Sequence, residues 1–230
     1  MKIKIDIVSD VACPWCYVGK SRLEKALAMV PEINADITWQ PFQLDPNVPK
    51  EGRDLKPYYE AKFGSAEKVQ QIFEHMESVG DAEGIAFDFS KMERTMNTLP
   101  LHVLMLEAEK ENFKSKLKER FFKAYFEEAT DLSKIENVIK IMAEFGWESQ
   151  KVLDILSNTE MLEEVKAKIS YFQSRGVSAV PFFIFNEKYG ISGAQPPQVL
   201  ADTLRQIQQE MATEAVVNGE SCDVERRECL

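Results

Sequence analysis

The sequence has little histidine and glycine and no long apolar run. Its two histidines lie far apart and outside any His-Glu-x-x-His pattern, so we expect no metal site built on histidine. No Gly-x-Gly occurs, which excludes the dinucleotide-binding fingerprint. The longest apolar stretch, Val177–Phe185, has nine residues. A membrane-spanning helix needs about 20, so we expect no membrane partner.

An excess of basic charge is also missing. The 28 Lys and Arg residues against 38 Asp and Glu residues give a net charge of −10. Nucleic-acid binding needs a basic surface, so we expect no nucleic-acid partner. The first ten residues alternate between apolar and polar and lack the apolar core of a signal peptide. We therefore expect a soluble cytoplasmic protein, as a monomer or a homodimer.

The hydrophobic pattern predicts an α/β fold with a large helical segment. Residues 3–8 and 36–42 have strand character and flank a helical pattern over 17–30, which gives a βαβ unit. Almost every window from 54 to 175 is helical. Strand character returns at 180–185 and 189–193, followed by a helix that begins near Pro197. The βαβ and ββα order is the layout of a thioredoxin-like fold, and the helical block would be a large all-helical insertion within it.

This pattern also predicts the domain organisation. Residues 1–50 and 176–215 form a discontinuous thioredoxin-like domain, and residues 51–175 form the helical insertion. Residues 216–230 form a flexible tail that carries Cys222 and Cys229. These two thiols are spaced closely enough to form a disulfide that exchanges electrons with a main site, or they are idle.

The chemical signal is the motif Cys13-Pro14-Trp15-Cys16, where the first strand passes into the first helix. The start of a helix offers unpaired N–H groups and a positive dipole end, both of which favour a thiolate and lower its pKa. We interpret Cys13 as an exposed attacking thiol and Cys16, one turn further, as a buried resolving thiol. A zinc half-site or two structural cysteines are the alternatives.

Val180-Pro181 stands at the head of the returning strand. In a thioredoxin fold a cis-proline loop packs beside the dithiol, and the preceding backbone can pair with an extended peptide. A plain edge-strand proline is the alternative. We assign Pro14, Trp15, Val180 and Pro181 to substrate contact.

Asp10 precedes Cys13 by three residues. Its charge would raise the pKa of Cys13, or it could relay a proton. The simpler interpretation is an aspartate that caps a turn.

The sequence resembles the FrnE-type branch of the DsbA-like thioredoxin-fold oxidoreductases over about residues 3–210. The matching segments are Ser9-Asp10, Cys13–Lys20, Trp39-x-Pro41-Phe42-x-Leu44, Asn97-Thr98 with His102, Gly176-Val177-x-x-Val180-Pro181-x-Phe183 and Ile191–Gln195. The resemblance implies thiol–disulfide exchange at Cys13 and Cys16 and a cis bond at Pro181. Disulfide- or thiol-bearing proteins or peptides would be the substrates, and a cellular thiol reductant or oxidant would be the redox partner.

Similar families are 2-hydroxychromene-2-carboxylate isomerase and kappa-class glutathione transferase, which have serine in place of Cys13. Asn97 and His102 are similar to residues of these glutathione-using families and are expected to support the site. No cofactor is required, although glutathione is an open choice of thiol co-substrate. The main expectation is a protein thiol–disulfide oxidoreductase or isomerase. The alternatives are a glutathione-dependent isomerase or transferase acting on a small molecule, and a non-enzymatic redox-sensing or chaperone-like module.

Overall fold

The chain begins with the predicted strand–helix–strand unit. The computed structural model describes residues 2–220, so Cys222 and Cys229 lie outside the described residues. In chain order the elements are β1 (Lys2–Ser9), α1 (Pro14–Ala28), β2 (Asn34–Pro41), β3 (Arg53–Asp54), α2 (Leu55–Phe63), α3 (Ala66–Glu83), β4 (Arg94–Thr95), α4 (Leu99–Lys110), α5 (Lys114–Phe126), α6 (Ile135–Glu144), α7 (Ser149–Ser157), α8 (Thr159–Ser174), β5 (Phe182–Phe185), β6 (Tyr189–Ser192) and α9 (Pro197–Glu220).

The main sheet has the strand order β2-β1-β5-β6. Strands β1 and β2 pair in parallel from Lys2↔Asn34 to Ser9↔Pro41, as the crossover through α1 requires. Strand β5 runs antiparallel to β1, and β6 runs antiparallel to β5. The ββα end of the chain therefore completes a sheet that the βαβ start begins, and the helical segment α2–α8 is inserted between β2 and β5.

Two hydrophobic cores meet at α1. Ile3, Ile5 and Ile7 of β1 are buried on one face of the sheet, in the same cluster as Leu23 of α1 and Leu204 of α9. The three isoleucines are two positions apart because alternate side chains of a strand point to the same face of the sheet.

The second core belongs to the helical segment and includes the first turn of α1. Cys13, Cys16 and Tyr17 lie in this cluster together with aromatic residues such as Phe122 of α5. The Tyr17 and Phe122 rings stack with centroids 5.0 Å apart. Helix α1 therefore contributes its first turn to one core and Leu23 to the other, which places the Cys-x-x-Cys motif where the two halves of the molecule meet.

The two halves are also joined by ion pairs at the end of α3. Glu83, whose side chain is 8% exposed, binds Arg22 and Lys25 of α1 at 2.6 Å each. Arg22 also donates to the carbonyl of Ala194. Burial would raise the pKa of Glu83, but the two cations outweigh it and lower that pKa. This anchor holds the helical segment against α1.

The helical segment also contains a short ladder that the sequence pattern did not reveal. Arg53 and Asp54 pair antiparallel with Thr95 and Arg94. Two-residue strands leave no periodicity to detect, so only the tertiary contact defines them. Among residues 2–220, no helix has both the length and the apolar character that crossing a bilayer requires.

We predict that Gly80→Ala destabilises the protein, although alanine is the better helix former. A Cβ at this position would lie 2.5 Å from Cδ2 of Phe87 and 2.8 Å from the backbone oxygen of Ile85. The overpacking should cost about 1–3 kcal/mol in the free energy of unfolding, measured by urea denaturation. Ser78→Ala, on an exposed position of the same helix, is the control and should not destabilise. Unchanged stability of Gly80→Ala would contradict this packing.

Candidate active site

The two cysteines of the motif are thiols at the start of α1. Cys13 is the residue immediately before the helix, with extended backbone angles, and Pro14 opens the first turn. The Cys16 N–H donates to the Cys13 carbonyl at 3.0 Å, so the first turn closes between the two cysteines. Proline fits there because its position needs no N–H donor.

Both thiols are buried, which corrects the expectation that Cys13 is exposed. Cys13 is 4% exposed and Cys16 is 0% exposed. The reason is tertiary, since the helical segment covers the first turn of α1, and no local pattern reports that cover. By contrast, Trp15 between them is 37% exposed, and its ring centroid lies 6.3 Å from that of His75.

The bend before β5 lies directly over Cys13. The Val180–Pro181 peptide bond is cis. The Cys13 Sγ lies 3.6 Å from the carbonyl oxygen of Val180. On the other side of the bend, the Gly193 N–H donates to the Pro181 carbonyl at 2.8 Å, which ties the bend to the end of β6. The Cys13 thiol and the Val180 carbonyl, which are 167 positions apart in the chain, are thereby brought into contact.

Gly19 makes this approach sterically feasible. A Cβ on Gly19 would lie 2.9 Å from Cγ of Pro181 and 3.2 Å from Cζ of Phe183. The proline ring is rigid, so a larger side chain would push the bend away from α1. The absence of a side chain at Gly19 is thus part of how the structure positions Val180 against Cys13.

The two thiols titrate as a coupled pair. The pKa of Cys13 is raised, first by its interaction with the Cys16 sulfur and then by burial, and the Asp10 carboxylate acts in the same direction. Burial would raise the pKa of Cys16, but the Cys13 thiol, the Lys118 ammonium and the Ser9 hydroxyl outweigh it and lower that pKa. The first negative charge therefore belongs to the hydrogen-bonded pair, and the Lys118 ammonium favours it on the Cys16 side.

Asp10 both caps the turn and contributes charge to the site. Its side chain is buried and accepts the Leu44 N–H at 2.8 Å and the Ala12 N–H at 3.4 Å. Burial would raise its pKa, but His102, Leu44 and Lys118 outweigh it and lower the pKa. The carboxylate is therefore ionised at neutral pH and opposes ionisation of Cys13.

His102 is fully buried behind Asp10. Its Nε2 lies 2.9 Å from the Phe42 carbonyl oxygen and 3.5 Å from Oδ1 of Asp10. Both are acceptors, so the proton is on Nε2. Nδ1 is buried and has no partner among the described residues. Burial lowers the pKa of His102 despite the neighbouring Asp10 carboxylate, which opposes the change.

The Asn97 side chain forms its hydrogen bonds with neighbouring backbone and side-chain groups, and among the described residues none of these bonds joins it to either thiol. Its side-chain oxygen accepts from Gln43 at 2.9 Å and from the Leu99 N–H at 3.0 Å, and its amide donates to the Val48 carbonyl at 2.7 Å. The structure thus gathers Cys13, Cys16, Val180 and Pro181 with Asp10 and His102, and it leaves Asn97 at the edge of this group.

Sequence reasoning missed Lys118, a buried lysine on α5 whose charge lowers the pKa of Cys16. Its Nζ lies 3.4 Å from the Ser9 carbonyl oxygen. The spacing of Lys118 relative to an aromatic residue could have indicated that it is buried. Lys118 precedes Phe122 by four residues, so it shares a helix face with a core aromatic residue.

Comparison with known proteins assigns the family. The DSBA-like thioredoxin domain model matches residues 4–205 of this chain. The chain therefore belongs to the DSBA-like thioredoxin domain family, and its predicted thioredoxin-type α/β fold with a helical segment is confirmed.

Solved structures agree with this family assignment. The probable DsbA oxidoreductase SCO1869 from Streptomyces coelicolor is 30% identical, with 90% of this chain and 91% of that chain covered and a TM-score of 0.84. A 2-hydroxychromene-2-carboxylate isomerase is 14% identical, with 96% and 100% covered and a TM-score of 0.63. The cytosolic disulfide reductase DsbM from Pseudomonas aeruginosa, solved with glutathione, is 14% identical, with 91% and 99% covered and a TM-score of 0.59. The last two share the fold alone.

We predict that His102 makes the protein less stable as the pH falls below about 6.5, the ordinary histidine pKa in an unfolded chain. Because the pKa of His102 is lowered in the folded state, the unfolded state binds its proton first. The unfolding free energy should therefore decrease by up to about 1.4 kcal/mol per pH unit. His102→Gln, which keeps a donor near the Phe42 carbonyl, should flatten this slope in urea denaturation between pH 7 and pH 5.

The other histidine provides the control, because His75 is exposed and lies on α3. His75→Gln should retain the wild-type slope. An equal flattening in both variants would contradict the assignment to His102.

Proposed function

We propose that the protein catalyses thiol–disulfide exchange on proteins or peptides, with Cys13 as the attacking and Cys16 as the resolving thiol. The observation that carries the proposal is the contact at 3.6 Å between the Cys13 Sγ and the Val180 carbonyl, beside the cis bond to Pro181. Membership of the DSBA-like family supports it.

The exchange transfers electrons between the two thiols and the substrate sulfurs alone. The Cys13 sulfur, as thiolate, attacks a substrate disulfide, which forms a mixed disulfide and releases the first substrate sulfur as a thiolate. Cys16 then attacks the Cys13 sulfur, and the bond to the second substrate sulfur breaks. The substrate gains two electrons and the dithiol becomes a disulfide. The reverse sequence oxidises a substrate dithiol, and release of the mixed disulfide to a different substrate thiol would give isomerisation.

The surface around Cys13 supports an extended peptide as substrate. Trp15 is 37% exposed and Leu44 is 41% exposed, so both offer apolar contact beside the buried thiol. The backbone at Val180 lies just before β5 and is available to pair with a peptide strand. Protein partners also suit the net charge of −10 better than nucleic acid does.

We also propose glutathione as a thiol co-substrate. An open groove of about 610 Å³ beside α2 is lined by two cations, Arg53 and Lys62, and by two carboxylates, Asp45 and Asp54. Glutathione carries two carboxylates and one ammonium group, so this mixture of charges is complementary to it. DsbM, solved with glutathione, shares the fold.

The groove continues towards the dithiol. It shares Leu44 and Tyr58 with a narrow pocket that reaches Asp10 and Ala12, the residue before Cys13. A tripeptide thiol bound in the groove could therefore direct its sulfur towards Cys13. A cytoplasmic location, where glutathione is abundant, belongs to the same proposal.

The protein-exchange proposal is tested by trapping. Cys16→Ser should accumulate a mixed disulfide between Cys13 and its substrates, because the resolving sulfur is absent. Cys222→Ser and Cys229→Ser are present in every variant, so the tail thiols cannot contribute. Trapped species are separated on non-reducing gels and identified by mass spectrometry.

Cys13→Ser and the Cys13→Ser/Cys16→Ser pair are the controls and should trap nothing. Insulin reduction by Cys13→Ser should fall at least 100-fold. Full activity of Cys13→Ser would sink the proposal, and a small-molecule turnover that survives Cys16→Ser would favour the glutathione-dependent isomerase or transferase instead.

Glutathione binding is tested on two lysines of the same helix. Lys62→Gln removes a cation from the groove. The lost contact between this cation and a glutathione carboxylate is worth up to about 1 kcal/mol at an exposed site, so the Kd for glutathione should rise by about fivefold. Lys56→Gln, on an exposed position of α2 that does not line the groove, should leave the Kd unchanged. Calorimetric titration of reduced glutathione measures both, and equal affinities in the two variants would refute this site.

A further inference from the structure

Lys118 is buried without a carboxylate partner. Lys118 is 0% exposed, and among the side chains that the structure describes, residues 2–214, no Asp or Glu oxygen lies within salt-bridge distance of its Nζ. Its Nζ donates to the Ser9 carbonyl oxygen at 3.4 Å. The Nζ also lies 4.8 Å from the centroid of the Phe122 ring and 5.6 Å from that of Trp39. An ammonium group enclosed in this way is strongly unfavourable unless a negative charge lies near it.

Lys118 lies beside the candidate active site, because its Nζ is 4.8 Å from the Phe122 ring and that ring stacks on Tyr17, the residue after Cys16. Burial lowers the pKa of Lys118 to about 8, while the charges of Cys16, Asp10 and Cys13 raise it in that order. Lys114, on the same helix, lowers it. His102 on α4 is another titratable group near Lys118, since the Lys118 ammonium helps to lower the pKa of His102.

The charges on the two cysteines depend on the redox state, whereas that on Asp10 does not. In a Cys13–Cys16 disulfide neither sulfur can ionise, so two of the three groups that favour the ammonium disappear. The ammonium of Lys118 is therefore best balanced when the dithiol is reduced and one of its sulfurs is a thiolate.

We propose that Lys118 is the positioning residue for the resolving step, a buried counter-charge that stabilises Cys16 as a thiolate. The inference rests on the proposed exchange function. In the mixed disulfide the Cys16 proton passes to solvent, and the Lys118 ammonium stabilises the thiolate that remains. The Cys16 thiolate bonds to the Cys13 sulfur, the bond from Cys13 to the substrate breaks, and the electron pair leaves on the substrate sulfur, which takes up a proton from solvent.

The first test is the thiolate content of the reduced protein. Lys118→Met keeps the packing over Phe122 and Trp39 and removes the charge. The pKa of the lower-titrating thiol should rise by at least one unit, so the thiolate fraction near neutral pH falls about tenfold. Thiolate absorbance near 240 nm across pH 5–10 measures it.

Lys114→Met is the matched control. Lys114 lies one turn earlier on α5, is also buried, and pairs with Glu109 at 2.9 Å. This variant should shift the thiol titration much less than Lys118→Met does. A wild-type titration in Lys118→Met, or an equal shift in Lys114→Met, would overturn the proposal.

A second measurement needs no variant. The side-chain ¹⁵N and ¹³C shifts of Lys118, followed by NMR in the wild-type protein, should show a pKa at least one unit lower in the oxidised than in the reduced form. Identical values in both redox states would overturn the proposal even if Lys118→Met failed to fold. Both readouts report ionisation and not turnover. They can therefore succeed while insulin reduction fails, which separates this inference from the proposed function.

Discussion

The contact between α1 and the Val180–Pro181 bend is the constraint on which the rest of the site depends. It requires the sheet order β2-β1-β5-β6, because β5 must lie beside β1 for the bend to reach the start of α1. It also requires Gly19, since any Cβ there would meet the Pro181 ring. Given both, the Val180 carbonyl lies against the Cys13 sulfur. The fold therefore sets the position of the first thiol relative to the Val180 backbone.

The helical segment sets the electrostatics of the same site. It covers the first turn of α1 and encloses the two thiols with Asp10, His102 and Lys118. In a buried site with little water, each of these charges acts more strongly on its neighbours than it would at the surface. Asp10 opposes ionisation of Cys13, while Lys118 favours ionisation of Cys16. The helical segment thus contributes charge as well as cover to the candidate site.

These two influences separate the roles of the cysteines. A helix start by itself favours a thiolate at its first cysteine, which was the expectation for Cys13. Here the hydrogen bond between the thiols couples their titrations, and the buried lysine lowers the pKa of Cys16. The charge of Lys118 and the charges of the two thiols favour one another, so the ionisation of this lysine depends on that of the thiol pair.

The sequence by itself determined the local features. The elements, the fold class and the two thiols could be predicted from three local patterns: alternation in residues 3–8, helical spacing from 54 to 175 and the Cys13-Pro14-Trp15-Cys16 motif. Each of these patterns depends only on neighbours in the chain. Only the tertiary structure decided that Cys13 is buried, that Arg53 and Asp54 pair with Arg94 and Thr95, and that Lys118 faces Cys16. These contacts join residues some 40 to 100 positions apart, and burial and charge coupling depend on such approaches, which no local pattern contains.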